Sequence, residues 1–169
     1  MDDRVSDFLA QWQRERPDLD VRPMGVFGRI SRVQELVSGP LQANFRQHGL
    51  NNGEFDTLAT LRRAGAPYTL TPGELAASSM VTGAAMTNRL QRLEDKGMLE
   101  RTMDPSSRRR VLVSLTAAGL STVDEVVVDH LRTEQELLDR GLSPAEQEQL
   151  ASLLATFLQR SGDASHDHR

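Results

Sequence analysis

The segment from Thr71 to Thr116 constrains the fold of this chain more than any other part of its 169 residues. It begins with two short helical patterns and continues with two strand-like runs, residues 98–102 and 111–115, separated by an arginine-rich stretch. This order of elements is that of a helix-turn-helix followed by a β-hairpin wing. We therefore predict a mainly α-helical fold with a small β-wing, in which a winged helix-turn-helix reads duplex DNA.

The second helix of this segment has an apolar stripe on one side and small or polar residues on the other. Met86, Leu90 and Leu93 recur at the i, i+4 and i+7 spacing of a buried helix face. Small and hydrogen-bonding residues suit a helix in the major groove, because bulky side chains would hold it away from the base edges. The residues that we predict to contact bases or phosphates are Thr82, Ala84, Thr87, Asn88, Arg89 and Arg92.

The stretch between the two strands carries three consecutive arginines, at positions 108 to 110. We predict a loop over residues 103–110, which is too long for a two-residue turn. Arginine at such a tip can enter the minor groove, where the potential is most negative over narrow A·T-rich DNA. We predict that Arg108 and Arg109 contact DNA, with Arg109 in the minor groove. The alternative is a solvated charged loop.

The charge distribution supports this interpretation better than the net charge does. A net charge of −4 at pH 7 does not by itself indicate a nucleic-acid partner. From Thr82 to Arg110, however, seven basic residues outweigh four acidic ones, a local balance of +3 that leaves −7 for the remainder. Because phosphate binding depends on local positive charge, this segment can bind DNA although the whole chain is acidic.

Amphipathic helical patterns flank the segment on both sides. Their apolar faces exceed what one small winged helix can cover, so we expect them to pack against a second copy. A two-fold dimer would then recognise a pseudo-palindromic operator. Within the leading part, Gly39-Pro40 should kink or interrupt a long helix. We predict N-terminal helices over residues 1–50, with a leading helix over 3–15, a winged helix-turn-helix lobe over 51–115, C-terminal dimerisation helices over 116–160 and a disordered tail over 161–169.

The phrase MTNRLQRLEDKGMLER, the wing DPSSRRRVLVSLT and the AAG that follows resemble the MarR family of bacterial winged-helix transcription regulators. The resemblance spans nearly the whole chain, since that family also frames its winged helix with dimerisation helices. It implies a dimeric regulator, more often a repressor than an activator. Members commonly show Asp-Pro-x-Asp-Arg-Arg in the wing. Because Ser107 stands where the second Asp is usual, either Asp104 takes over its pairing with arginine or the wing is looser.

A polar line beside the apolar face of the first lobe helix suggests a small-ligand site. Asp56, Thr60 and Arg63 recur at i, i+4 and i+7. Guanidinium groups suit a carboxylate or oxyanion, and an indole can stack on an aromatic ring. The alternatives are an ordinary salt bridge for the charged pair and a core or dimer anchor for the tryptophan. The leading helix, the phrase GEFDTLATLRRAG and Arg101 also resemble the urate-responsive subgroup of the MarR family. In that subgroup, the residues that surround the ligand match Trp12, Asp56, Arg63 and Arg101.

The sequence offers little support for an enzyme. It has no cysteine, no glycine-rich phosphate loop and no His-Glu metal pattern, so we predict no cofactor and no metal site. His166 and His168 would make a poor metal site in a polar tail. The acidic start and the lack of a long apolar run lead us to expect a cytosolic protein. A winged-helix protein-interaction module without a DNA target is the alternative function.

Overall fold

The computed structural model describes residues 3–78 and 83–162 of the chain. This part is mainly helical with a small antiparallel sheet, which confirms the predicted fold class. Thr82 and the tail beyond residue 162 lie outside it. In chain order, the elements are α1 (Arg4–Glu15), α2 (Arg22–Gln47), α3 (Asn52–Arg63), β1 (Thr69–Leu70), α4 (Pro72–Ser78), α5 (Gly83–Asp95), β2 (Leu99–Asp104), β3 (Ser107–Leu115), α6 (Ala117–Asp139) and α7 (Pro144–Arg160).

The chain forms two compact units, Met1–His130 and Leu131–Arg169. The first unit contains α1 to α5, the sheet and most of α6, whereas the second contains the end of α6 and α7. Within the second unit, the Gln147 side chain donates to Asp139 Oδ1 at 2.9 Å and to the Leu142 carbonyl at 3.1 Å. These bonds fix the turn between the two helices of that unit. No described helix has an apolar stretch long enough to cross a lipid bilayer.

Helix α1 packs closely against the first half of α2 because two glycines leave room for it. A Cβ built on Gly25 would lie 3.2 Å from Leu9 Cδ1, and one built on Gly28 would lie 3.1 Å from Val5 Cγ1. These distances are shorter than ordinary van der Waals contacts, so larger residues at either glycine would push α1 outwards. The apolar side of α1 is thereby held against α2.

Helix α2 runs through Pro40 as one element, so the interruption that Gly39-Pro40 could cause does not occur. Residues before proline usually leave the α conformation, because their Cβ clashes with the proline ring. Gly39 has no Cβ, and a Cβ built there would have no atom within 4 Å. The helix therefore tolerates the proline and continues to Phe45, which is buried in the core.

The predicted capping boxes form. Asn51 accepts the Glu54 backbone N–H at 2.9 Å, and the Glu54 carboxylate accepts the Asn51 N–H at 2.9 Å. Glu54 is buried, and Lys96 neutralises it with a contact of 2.8 Å while also donating to the Gly49 carbonyl. The chain has no other lysine. This lysine ties the end of α5 to the start of α3. Similar boxes begin α4 and α7, formed by Thr71 with Glu74 and by Ser143 with Glu146.

The core lies between α3, α4, α5, the sheet and α6. Met86, Leu90 and Leu93 on α5 are all buried, which confirms the predicted stripe. They pack with apolar residues from each of the other elements and from the end of α2. The remaining buried core residues are Phe45, Leu50, Leu58, Ala59, Leu61, Leu75, Leu99, Val113, Val123 and Val126.

The wing differs from the prediction in the length of its strands. The sheet has the order β1-β3-β2, and the hairpin strands β2 and β3 are separated only by Pro105 and Ser106. The predicted loop over residues 103–110 is therefore wrong, and the three arginines belong to β3. The turn is tight because Asp104 accepts the N–H and the hydroxyl of Ser106 at 2.8 and 2.7 Å. An irregularity between Met103 and Asp104 accommodates the pairing.

Candidate nucleic-acid interface and anion site

The outward face of α5 carries the polar side chains predicted to meet DNA. Thr87, Asn88, Gln91 and Arg92 are exposed, opposite the buried stripe of the same helix. Ala84 lies in the first turn of α5, but its side chain is outside the described part of the structure, as is Thr82 altogether. The exposed group is short and polar near the middle of the helix, which suits contact with base edges.

Gln91 is held by neighbours rather than left open to solvent. Arg101 on β2 donates through Nη2 to Gln91 Oε1 at 2.6 Å and through Nε to Glu94 Oε2 at 2.9 Å. The Gln91 amide nitrogen donates to Asp95 Oδ1 at 2.9 Å. Hydrogen bonding from Arg101 lowers the pKa of Glu94, and the same contact raises the pKa of Arg101. The wing and α5 are thus connected by a charged contact.

Asp104 organises the wing turn. The hydroxyl and N–H of Ser106 donate to its carboxylate, and these bonds lower the pKa of Asp104. Arg110 on β3 lies 4.0 Å from this carboxylate and 3.9 Å from that of Glu74 on α4. Asp104 therefore pairs with an arginine in a wing that has Ser107 in place of the usual Asp. The side chains of Arg108 and Arg109 lie outside the described part.

Arg89 turns towards α3, although the sequence predicted it to contact phosphate. A Cβ built on Gly53 would lie 2.6 Å from Arg89 Cζ, so the guanidinium packs directly against this glycine. Its Nη1 lies 3.9 Å from Asp56 Oδ2. That nitrogen is buried and has no hydrogen-bond partner among the described residues. The structure thus places a cation with an unused donor beside the carboxylate predicted to meet a ligand.

The predicted polar line on α3 is only partly connected. The Thr60 hydroxyl donates to the Asp56 carbonyl at 2.8 Å, and Arg63 Nη2 donates to the Thr60 hydroxyl at 3.1 Å. In the described part, no ion pair links Arg63 or Arg101 to the Asp56 carboxylate. Trp12 on α1 is 45% exposed, with no hydrogen bond or ring contact to these three residues there. The structure therefore brings together Asp56, Thr60 and Arg63, and adds Arg89.

Sequence reasoning missed Arg89 as a neighbour of Asp56 because 33 positions separate the two residues. The available signal was Gly53, one turn before Asp56, which leaves space for a large side chain from another helix. The described residues contain no group of three or more metal-ligating side chains. His166 and His168 lie outside those residues.

Comparisons with known proteins point to one family. Residues 48–110 match a sequence model of the MarR family. The transcriptional regulator PecS of Dickeya dadantii is 42% identical over 151 residues, which cover 89% of each chain. A variant of MarR from E. coli, solved in complex with operator DNA, aligns with a TM-score of 0.69 at 26% identity, covering 87% of this chain and 97% of that one.

A second solved structure is informative about regulation. Bordetella bronchiseptica BpsR, whose DNA binding is regulated by 6-hydroxynicotinic acid, aligns with a TM-score of 0.62 at 26% identity. The alignment covers 76% of this chain and 98% of that one. These relatives are transcription regulators rather than enzymes.

Proposed function

The chain belongs to the MarR family of transcription regulators and binds DNA, and from this premise we propose that it is a dimeric repressor released from a pseudo-palindromic operator by a small anionic ligand. The observation that carries the proposal is α5, whose exposed polar face lies opposite a fully buried stripe. Such a helix can enter the major groove without disturbing the core behind it. The arginines of β3 provide a second contact in the adjacent minor groove.

The dimer is supported by the apolar side chains that each unit leaves exposed. In the first unit they lie mainly on α1 and α2, and in the second they lie on α7. Contiguous apolar surface of this kind marks an interface with another protein chain. A second copy is the natural partner, because its two recognition helices would then match the symmetry of a palindromic operator. The most exposed are Val26, Phe27, Val33, Leu36, Leu153 and Phe157.

The ligand proposal rests on the contact between Asp56 and Arg89. A small anion can bind the unused donor of Arg89 and compete with the nearby carboxylate for the guanidinium. Because Arg89 belongs to α5 and Asp56 to α3, this competition would shift the recognition helix relative to the lobe. A coupling of about 1–3 kcal/mol would weaken DNA binding about 5- to 150-fold.

The predicted ligand residues Trp12, Arg63 and Arg101 remain part of the proposal through the resemblance to the urate-responsive subgroup. Urate is the first candidate, and the regulation of BpsR by 6-hydroxynicotinic acid supports a heteroaromatic anion more generally. An indole can stack on such a ring, and a carboxylate can accept from a ring N–H.

The DNA interface is tested with a duplex that the wild type selects from a random library. We expect Asn88→Ala to weaken binding and to relax the sequence preference, because an asparagine that pairs with a base contributes about 1–3 kcal/mol of discrimination. Arg92→Ala and Arg109→Ala should each reduce the slope of log affinity against log salt by about 0.9, the value for one lost phosphate contact. Arg14→Ala on α1 is the control, whose slope should equal that of the wild type. Wild-type slopes in both lobe variants would contradict this interface.

The ligand site is tested by adding urate, and separately 6-hydroxynicotinate, to the protein bound to that duplex. We expect release from the wild type and none from Arg89→Gln. Gly53→Ala should also lose the response, because the added methyl displaces the guanidinium while leaving the backbone in place. Arg62→Gln on α3 is the matched control, since Arg62 pairs with Asp124 instead. Equal release from wild type and Arg89→Gln would refute this site, and loss only in Arg63→Ala would assign the ligand to Arg63.

A further inference from the structure

Arg101 connects the first strand of the wing to the recognition helix. Its guanidinium donates twice to Glu94 and once to Gln91, which lie three residues apart on the same face of α5. We call these three residues the wing clamp. The side chains of Arg101 and Glu94 are only 29% and 32% exposed, so solvent screens their attraction less than it would at an open surface.

The wing clamp also determines what Gln91 can do. To recognise adenine, glutamine must present both its amide oxygen and its amide nitrogen to the base edge. Here the oxygen accepts from Arg101, and the nitrogen donates to Asp95. Gln91 therefore acts as part of the support, and base reading in this conformation falls to other exposed residues of α5 such as Asn88.

We propose that Arg101 is a positioning residue for DNA recognition, which sets the angle between the wing and the recognition helix through the wing clamp. The wing and α5 approach different grooves of the duplex, so both can bind at once only if their relative placement is correct. Base contacts require tighter geometry than phosphate contacts do, and rigid support of the contacting element provides it. This role needs no ligand and thus goes beyond the proposed function.

The proposal contradicts simple electrostatics in a way that can be measured. Glu94→Gln removes a negative charge from the DNA-binding lobe, which by charge alone would tighten binding. The same substitution removes the carboxylate that accepts two hydrogen bonds from Arg101. We therefore expect weaker binding to the preferred sequence despite the more favourable charge.

The experiment compares affinity for the selected duplex with affinity for a random-sequence duplex of the same length, without any organic anion. Arg101→Ala and Glu94→Gln should each lower this ratio about tenfold, the loss expected for a charged hydrogen bond. The salt slope should stay at the wild-type value. Arg16→Ala is the matched control, because Arg16 makes two hydrogen bonds to Asp18 at 2.8 and 2.7 Å in the turn after α1. Its ratio should be unchanged.

The reciprocal double variant Glu94→Arg with Arg101→Glu should recover part of the ratio lost in each single variant. Tighter or unchanged binding by Glu94→Gln would overturn the proposal. A salt slope lower by about 0.9 in Arg101→Ala, with an unchanged ratio, would also overturn it in favour of a direct phosphate contact. If Arg101→Ala does not fold by thermal unfolding, Arg101→Lys provides the same test, because it keeps the charge but not the planar fork. Because no ligand is present, failure of the ligand proposal would leave these results interpretable.

Discussion

Helix α6 approaches the backbone at Met98 so closely that its first turn depends on Gly119. A Cβ built on Gly119 would lie 1.8 Å from the Met98 carbonyl oxygen. Thr116 caps the same turn by accepting the Gly119 N–H at 3.0 Å and donating to the Gly97 carbonyl at 2.7 Å. A side chain can rotate away from a clash, but backbone held on both sides cannot. At this position a single hydrogen atom in place of a methyl determines where α6 lies.

We expect Gly119→Ala to lower the free energy of unfolding by about 3 kcal/mol, the upper part of the range for overpacking. Gly73→Ala is the matched control on α4, where the nearest atom to the new methyl is Thr71 Oγ1 at 3.9 Å. That change should stabilise the protein by about 0.5–1 kcal/mol, because alanine loses less conformational entropy in a helix than glycine does. Urea denaturation measures both. A loss in Gly119→Ala no larger than the change in Gly73→Ala would show that α6 can shift freely.

At the scale of an element, α1 shows how one carboxylate can both begin a helix and attach it. Asp3 accepts the Ser6 backbone N–H at 2.8 Å and the Arg29 guanidinium at 2.8 and 3.1 Å. These contacts lower the pKa of Asp3 from 3.8 to about 2, with the backbone bond as the largest cause. The folded state thus favours the charged carboxylate over the protonated one, and α1 is attached to α2 by charge as well as by apolar packing.

The sign of this pKa shift gives a pH dependence for α1. Since the folded pKa is below the unfolded one, the contribution of Asp3 is present above 3.8 and is lost as the pH falls through about 2. We expect acid to loosen α1 in this window, followed by the fluorescence of Trp12, the one tryptophan of the chain. Asp3→Asn keeps a capping oxygen but no charge, so its Trp12 signal should vary less over the same range. Equal pH profiles for the two proteins would contradict the assignment.

At the scale of the whole molecule, much apolar surface of both units is left without a cover within one chain. Leu36 on α2 is 71% exposed in the first unit, and Leu153 on α7 is 62% exposed in the second. Isolated exposed apolar residues are ordinary, but a row of them along a helix is costly in water. A dimeric state would remove this cost.

We expect Leu153→Asp to convert the dimer to a monomer, because a buried charge without a partner opposes association strongly. Binding to a palindromic duplex should weaken as well, since two half-sites would no longer be held by one particle. Met103→Asp on β2 is the matched control, as Met103 is 56% exposed but lies in the wing. Light scattering after size exclusion measures the mass of each variant. A dimer in Leu153→Asp would show that the α7 face is not part of the interface.

The helices were predictable from the sequence because their signals are local. The stripe of Met86, Leu90 and Leu93 requires only a repeat of 3.6 residues, and the boxes at the starts of α3, α4 and α7 require only four consecutive residues. The wing was predicted correctly as a hairpin but with strands that were too short. Its tight turn depends on one carboxylate, Asp104, folding back on Ser106, whereas three consecutive arginines looked like a loop.

The candidate site was less predictable, because the partner of a charged side chain is chosen by the fold. The sequence by itself determined that α5 has a polar face, that arginines follow in the wing and that the chain is a winged helix. Only the tertiary structure decided that Arg89 packs on Gly53 beside Asp56 and that Arg101 joins Glu94 and Gln91. Periodicity specifies the direction in which a side chain leaves its own helix. It does not specify which neighbour lies there, since that depends on how separate elements pack.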